Sequence, residues 1–351
     1  MRPADPFRIK RPFIAGRSQF PDNLIDSSVV TAENPMNAGV LGRLCVNGVV
    51  TPQNQKLGPR MENTICAAFR EPANMERIQQ RRERLRRNLH ELGVDALLIS
   101  SETNVSYLTG FTGDSSILLV GRDRDVLLSD GRFTTQIQQE CPGLEAVIRS
   151  TTQTMVQAVG DALKMLGCHR LGFESASLSY EEYSSIREEL KTVELMPTSD
   201  QVEALREIKD EVEIAAVREA IGFAEQAFLR LRTQLQDGQT EKEVADALEA
   251  NLRHCGATAA SFPPIVAVGI RAALPHARPT ESVRIGDDDF VLIDWGATGR
   301  PYKSDLTRVL VTGKVTSAFE NLYRTVLAAQ ERAIALIGPG VKAQDVDAEA
   351  R

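Results

Sequence analysis

The 351 residues carry 41 Lys and Arg against 48 Asp and Glu, a formal charge of −7, and 42% of them are hydrophobic. A chain of this size and composition can bury a core in each of two ordinary domains. Its acidic balance argues against a nucleic acid or an anionic membrane as partner, because both call for an excess of Lys and Arg.

Residues 1–74 are rich in Pro, Asn and Gly, show no sustained helical or strand period, and read as a poorly ordered leader. A translation start at Met61 or Met75 would account for it. The first twenty residues lack the apolar core of a secretory signal, and no run reaches the roughly 18 apolar residues of a membrane span. Cys45, Cys66, Cys141, Cys168 and Cys255 are scattered and never in C-x-x-C spacing, which points to neither a disulfide framework nor a cysteine zinc site. A reducing cytoplasm is the expected compartment.

From Met75 the pattern is regular. MERIQQRRERLRRNLHELG sets Ile78, Leu85, Leu89 and Leu92 on one side of a helix that Gly93 ends. Within it, RRERLRR (81–87) holds Glu83 and Leu85 among its arginines and reads as a solvated helix face. The β-prone runs VDALLIS, SSILLV and RDVLLSD follow, then a helix from about Phe133 to Glu140, a strand LEAVIRS, a helix from about Thr154 to Leu166 and a strand RLGFES. This alternation predicts an α/β domain over 75–200.

A long helical region over 200–236, with a break near its middle, opens a second domain (201–351). TEKEVADALEANLRHCG is an amphipathic helix, and Thr240 with Glu243 matches the S/T-x-x-E capping box. Strands come next, then a helix SAFENLYRTVLAAQERAIALI stopped by Gly338, Pro339 and Gly340, and the start of one more helix in KAQDVDAEAR.

Between them lies FVLIDWGATGRPYKSDLTRVLVTG, residues 290–313, in which two β-prone runs each contain an aspartate, Asp294 and Asp305. Paired antiparallel around Thr298–Lys303, a symmetric register sets Asp294 near Thr307, and a register shortened by two sets it against Asp305. Either way the carboxylates lie on one face or one diagonal apart, within about 5 to 8 Å. At about 5 Å and an effective dielectric near 20 they repel by roughly 3 kcal/mol. Protonation of one, a basic side chain such as Lys303 or Arg308 between them, or a shared divalent cation would offset this. The aspartates could also be a turn residue and a salt-bridged residue with no metal between them. Hard oxygen donors on rigid strands suit manganese, magnesium or zinc.

DWGATGRPYKSDLTR resembles the D-x-G-A…Y-x-S-D-x-T-R segment of the pita-bread metallopeptidases, the family of Xaa-Pro aminopeptidases and proline dipeptidases. SFPPIVAVGIRAALPHARPT resembles that family's S-F-x-x-I-V-A-x-G…A-x-x-H-x-x-P segment. NVSYLTGFTGDSSILLV and LLSDGRF are similar to its creatinase-like amino-terminal domain, and LREIKDEVEIAAVREA to its connecting helix. The resemblance covers about Met75 to Arg351. It implies an α/β (α+β) protein in which a creatinase-like α/β domain precedes a pita-bread catalytic domain. It also implies hydrolysis of the peptide bond before a proline at the amino terminus of a peptide. Two divalent ions, with Mn2+ expected, would serve the reaction.

Carried over by position, Asp294 would bind one metal and Asp305 would bridge both. His276 would face the substrate, and Tyr302, Thr307 and Arg308 would support the ligands. His90, His169 and His254 match no functional position. Pro301 stands where a glycine commonly precedes the tyrosine, and Val309 where a threonine usually follows the arginine. Family members draw a further histidine and two glutamates from H-G-x-G-H and E-P-G segments that do not occur before Arg351, so an incomplete, inactive fragment is expected. A homodimer, common in the family, is a further expectation. A creatinase-like amidinohydrolase and a non-catalytic peptide- or protein-binding module are the alternatives.

Overall fold

The computed structural model describes residues 72–299 and 301–351; the expected leader falls almost wholly on residues outside them. The described chain divides into two compact units that part between Ile208 and Lys209.

In the first unit, helix α1 (Pro72–Leu92) leads to strand β1 (Ala96–Ile99), α2 (Glu102–Thr109), β2 (Ile117–Gly121) and β3 (Asp125–Asp130). A short 3-10 turn, α3 (Thr134–Glu140), β4 (Glu145–Arg149), α4 (Met155–Leu166), β5 (Arg170–Glu174), α5 (Tyr180–Glu189), β6 (Glu194–Thr198) and α6 (Glu203–Glu207) complete it. The six strands form one mixed sheet in the order β4-β3-β2-β1-β5-β6. β1 is apolar throughout because both faces are covered: Leu97 and Ile99 join a cluster with Leu85 and Leu89 of α1, while Ala96 and Leu98 join another with Ala158 and Leu163 of α4.

The basic run departs from the expected solvated face. Arg82 Nε and Arg86 Nη2 donate to the two oxygens of Asp125 at 2.9 and 2.7 Å, and Arg82 Nη1 and Arg86 Nε donate to the Leu108 and Gly121 carbonyls. Arg81 lies 4.0 Å over the Tyr107 ring. At positions 82 and 86 the helical period flanks Leu85 and Leu89, so the arginine stems lie along the domain surface and their heads reach carbonyls at the ends of α2 and β2. Arg84 and Arg87 are exposed. The NVSYLTG segment is similarly fixed. Asn104, fully buried, donates to Glu174 and Glu203 and accepts from Arg206, and the Tyr107 hydroxyl donates to the Leu205 carbonyl.

The second unit contains α7 (Glu211–Gln234), α8 (Glu241–His254), β7 (Ala259–Ala260), β8 (Ile265–Val268), β9 (Phe290–Trp295), β10 (Ala297–Thr298), β11 (Leu306–Val311), α9 (Ser317–Leu336) and α10 (Ala343–Ala350). The expected helix break falls just before Asp210 rather than near the middle. Asp210 accepts from the Glu213 amide at 2.9 Å and Glu213 Oε2 accepts from the Asp210 amide at 2.8 Å, a capping box that starts α7 cleanly. Downstream of it no proline interrupts the 24 residues. Thr240 and Glu243 form the predicted box on α8.

β11, β9 and β8 form a three-stranded antiparallel sheet, and β10 pairs separately with β7. β9 alternates as a half-buried strand should: Val291, Ile293 and Trp295 enter a core with Leu231, Val244, Leu248 and Leu252, while Asp294 stays on the partly open face. Trp295 stacks on Phe228 at 4.5 Å between ring centres and donates its indole N–H to the Ala224 carbonyl at 3.0 Å. No helix among the described residues is long and apolar enough to cross a membrane.

Candidate metal centre

The β9–β11 ladder adopts the symmetric register, with Thr307 opposite Asp294. The Thr307 hydroxyl donates to Asp294 Oδ1 at 2.7 Å. Asp305 stands one residue before β11 rather than inside it, and two residues from Thr307, so the extended chain turns it to the side of the sheet that carries Asp294. Desolvation of its carboxyl, and then the charge of Asp294, hold Asp305 above the usual carboxylate range. The second cause means that the two carboxylates feel one another, which is the condition a shared cation would relieve.

The segment between the aspartates is tied down from several directions. Gly296 permits a close approach: a Cβ there would overlap the Ser304 carbonyl and the Ser261 hydroxyl. Ser261 Oγ donates to the Ser304 carbonyl at 2.8 Å and the Ser261 amide to the Gly296 carbonyl at 3.0 Å. Ser304, 6% exposed, donates its hydroxyl to the Ala220 carbonyl at 3.0 Å and accepts from the Ala297 amide at 3.0 Å. The Gly299 amide donates to the Tyr302 carbonyl at 2.7 Å, closing the turn. Tyr302 donates its hydroxyl to Glu213 Oε1, joining the turn to the first residues of α7. Ser261, Gly296, Ser304 and Glu213 were not singled out by sequence reasoning. The serines inside S-F and Y-x-S-D were the only available signal for two of them.

Arg308 donates from Nη1 to the neighbouring Thr307 carbonyl at 2.8 Å, on the backbone side of the ladder. His276 lies in an exposed turn after the 3-10 helix Gly269–Ala273, which follows β8. Among the described residues it makes no hydrogen bond or ion pair with Asp294 or Asp305, so the structure joins Asp294, Thr307 and Asp305 and leaves His276 on its own segment. His90, His169 and His254 are exposed.

The two carboxylates fit one edge of a divalent-metal site by charge and donor hardness. Among the described residues no group of three or more His, Cys, Asp or Glu side chains could hold an ion. Asp294 and Asp305 alone do not make up such a group.

Comparison with known proteins places these observations. The model of metallopeptidase family M24 matches residues 215–351, and that of the creatinase/prolidase N-terminal domain matches residues 81–208. An uncharacterized peptidase of Bacillus subtilis, YqhT, is 36% identical over 269 residues, 77% of this chain and 75% of the relative. An Xaa-Pro dipeptidase of Pyrococcus horikoshii is 30% identical over 74% of this chain and 71% of its own. Among solved structures, the Xaa-Pro dipeptidase from Bacillus anthracis superposes with a TM-score of 0.74 at 34% identity, covering 78% of this chain and 76% of that one. An X-Pro aminopeptidase from Thermotoga maritima gives 0.69 at 32% identity, covering 75% and 76%. With both domain models matched in order and the aspartates on facing strand ends, the chain belongs to the pita-bread metallopeptidases of family M24, and carries their creatinase/prolidase N-terminal domain.

Proposed function

We propose that this protein hydrolyses the peptide bond before a proline at the amino terminus of a peptide, using two divalent ions, Mn2+ in the first instance. The observation that carries the reading is the placement of Asp294 and Asp305 on one side of the β9–β11 ladder, with one Asp294 oxygen held by Thr307 and the Asp305 carboxyl raised by desolvation and then by the charge of Asp294. Xaa-Pro dipeptidases and an X-Pro aminopeptidase among the similar proteins support the substrate class.

Asp294, on β9, and Asp305, just before β11, would hold the ions through their carboxylates. Bound there, the ions would supply Lewis acidity toward the scissile carbonyl and acidify a water for attack. Thr307 holds the Asp294 carboxylate through Oδ1, so that Oδ2 is the oxygen that would be offered to an ion. His276, on an exposed turn, would donate a hydrogen bond to the carbonyl oxygen as negative charge develops on it. A hard divalent ion takes about six ligands, so activity requires donors beyond the two aspartates, and a protein limited to those two binds metal weakly. A cytoplasmic homodimer is the expected working form.

The test is hydrolysis of Xaa-Pro dipeptides and Xaa-Pro-starting peptides by the full-length protein, with and without Mn2+. Turnover that chelation stops and Asp294→Ala abolishes supports the peptidase. Peptide binding without turnover replaces it with a non-catalytic binding module of the same fold, and turnover of an amidino substrate without metal replaces it with an amidinohydrolase.

A further inference from the structure

Glu241, the first residue of α8, is completely buried, and its carboxylate is surrounded by donors from one segment of chain. Oε1 accepts from the Val268 amide at 2.9 Å and from Arg271 Nε at 3.0 Å. Oε2 accepts from Arg271 Nε at 3.1 Å and from the Thr280 amide at 3.1 Å. Arg271 continues the chain of contacts, donating from Nη2 to the Arg278 carbonyl at 2.7 Å. Val268 ends β8 and Thr280 lies twelve residues on, so one carboxylate ties both ends of the segment that bears His276. Backbone bonds from Glu241 to Val283 and from Lys242 to Thr280 run beside it.

A wholly buried carboxylate is costly unless charge and hydrogen bonds surround it. Simpler ways exist to stabilise a surface turn. The segment between the two ends keeps Ile270, Leu274 and His276 in solvent, and its 3-10 turn and the Leu274-to-Arg271 and Ala277-to-Leu274 backbone bonds are all local, so its placement on the unit depends on the anchors. We propose that Glu241, locked by Arg271, is a positioning residue for His276, setting where that imidazole stands when substrate binds. This rests on the peptidase reading and on the place of His276 within it.

The test uses the full-length protein and two variants, Arg271→Lys and Glu241→Gln. Lysine keeps the charge but loses the forked donors and the bond to the Arg278 carbonyl. Glutamine keeps the shape but turns one acceptor into a donor. Backbone hydrogen exchange over 268–280 is expected to rise at least tenfold in both, with exchange in α7 and β9 unchanged. On an Xaa-Pro peptide, kcat is expected to fall about tenfold with little change in KM. In the His276→Ala background the same substitutions should lower kcat no further, because their effect passes through the missing imidazole. Unchanged exchange in 268–280 overturns the proposal, and so do losses that multiply with His276→Ala, which would mark the anchor as a contributor to folding alone. A wild-type protein that hydrolyses no Xaa-Pro peptide removes the peptidase reading and the positioning role with it. Turnover with multiplied losses removes only the latter.

Discussion

Thr307 faces Asp294 across the β9–β11 ladder and donates its hydroxyl to Asp294 Oδ1 at 2.7 Å. The bond occupies Oδ1, so on the proposed reading Oδ2 is the oxygen that would meet a cation. Thr307→Val removes the hydroxyl while keeping the β-branched shape that suits the strand. The fold should change little, with the unfolding midpoint in urea close to wild type. Metal affinity, or metal-dependent turnover, should drop by about 10- to 100-fold, the usual effect of losing a partner of a metal ligand. Titration with Mn2+ followed by peptide turnover would check it, and an unchanged affinity would remove Thr307 from the site.

Gly296 lets the Ser304 carbonyl, one residue before Asp305, approach the end of β9 closely. A Cβ at this position would meet backbone, the Ser304 carbonyl, as well as the Ser261 hydroxyl, and backbone cannot swing aside as a flexible side chain can. Gly296→Ala should therefore shift the Ser304–Asp305 backbone just before β11 or break the hydrogen bonds at Ser304. A cost of about 1–3 kcal/mol follows if one buried bond such as Ser304 Oγ to the Ala220 carbonyl is broken. Chemical denaturation would measure the stability, and Mn2+ titration would report whether the two carboxylates still act together.

Much of this site is legible in the sequence because strand periodicity is short-ranged. Once 290–295 and 306–311 pair, Asp294 must meet Thr307 or Asp305, and apolar Val291, Ile293 and Trp295 decide which face is buried. What the pattern does not reveal is contact between residues distant in the chain. Glu213 under Tyr302, Ser304 on the Ala220 carbonyl and Glu241 inside the His276 segment are each set by tertiary packing. Glu241 and Glu213 read as ordinary first-turn acids of amphipathic helices, where most such residues are solvated. For the same reason Arg82 and Arg86 of α1, unlike the exposed Arg84 and Arg87, depart from a solvated helix face. Their partners, Asp125 and the Leu108 and Gly121 carbonyls, lie 26 to 43 residues away.

Asp130 gives an acid-dependent prediction in the first unit. It caps the 3-10 turn by accepting from the Arg132 amide at 3.0 Å, and it accepts from Arg132 Nε and Nη2 at 2.9 and 2.8 Å. The Arg132 side chain, then its amide, lower the Asp130 carboxyl to about 2. A carboxyl depressed on folding stabilises the folded state above its unfolded value near 4, and that contribution disappears as pH falls through about 2. Asp130→Asn keeps a capping side chain and removes the charge. Urea unfolding at pH 6 should find the variant less stable than wild type, with the gap closing between pH 4 and pH 2. A gap that does not narrow would mean that the charge is not the source.

Asp305 gives the opposite sign. Its carboxyl is raised, by desolvation and by Asp294, so the folded chain holds that proton more tightly than the unfolded chain does. The associated stability is present below the unfolded value near 4 and is lost as pH rises through the raised one. In the absence of metal the charge of Asp294 opposes charge on Asp305, and at neutral pH Asp305→Asn should raise the melting temperature of the chelator-treated protein. Below pH 3 both forms carry an uncharged side chain at 305, and the gain should vanish. Added Mn2+ should reverse the order at neutral pH, because an ion that binds only the folded state stabilises the wild type and finds fewer anionic donors in the variant. Thermal unfolding at pH 7 and pH 3, with chelator and with Mn2+, measures all of this. A variant no more stable than wild type in chelator would mean that the aspartates do not oppose one another, and the metal reading would lose the observation that carries it.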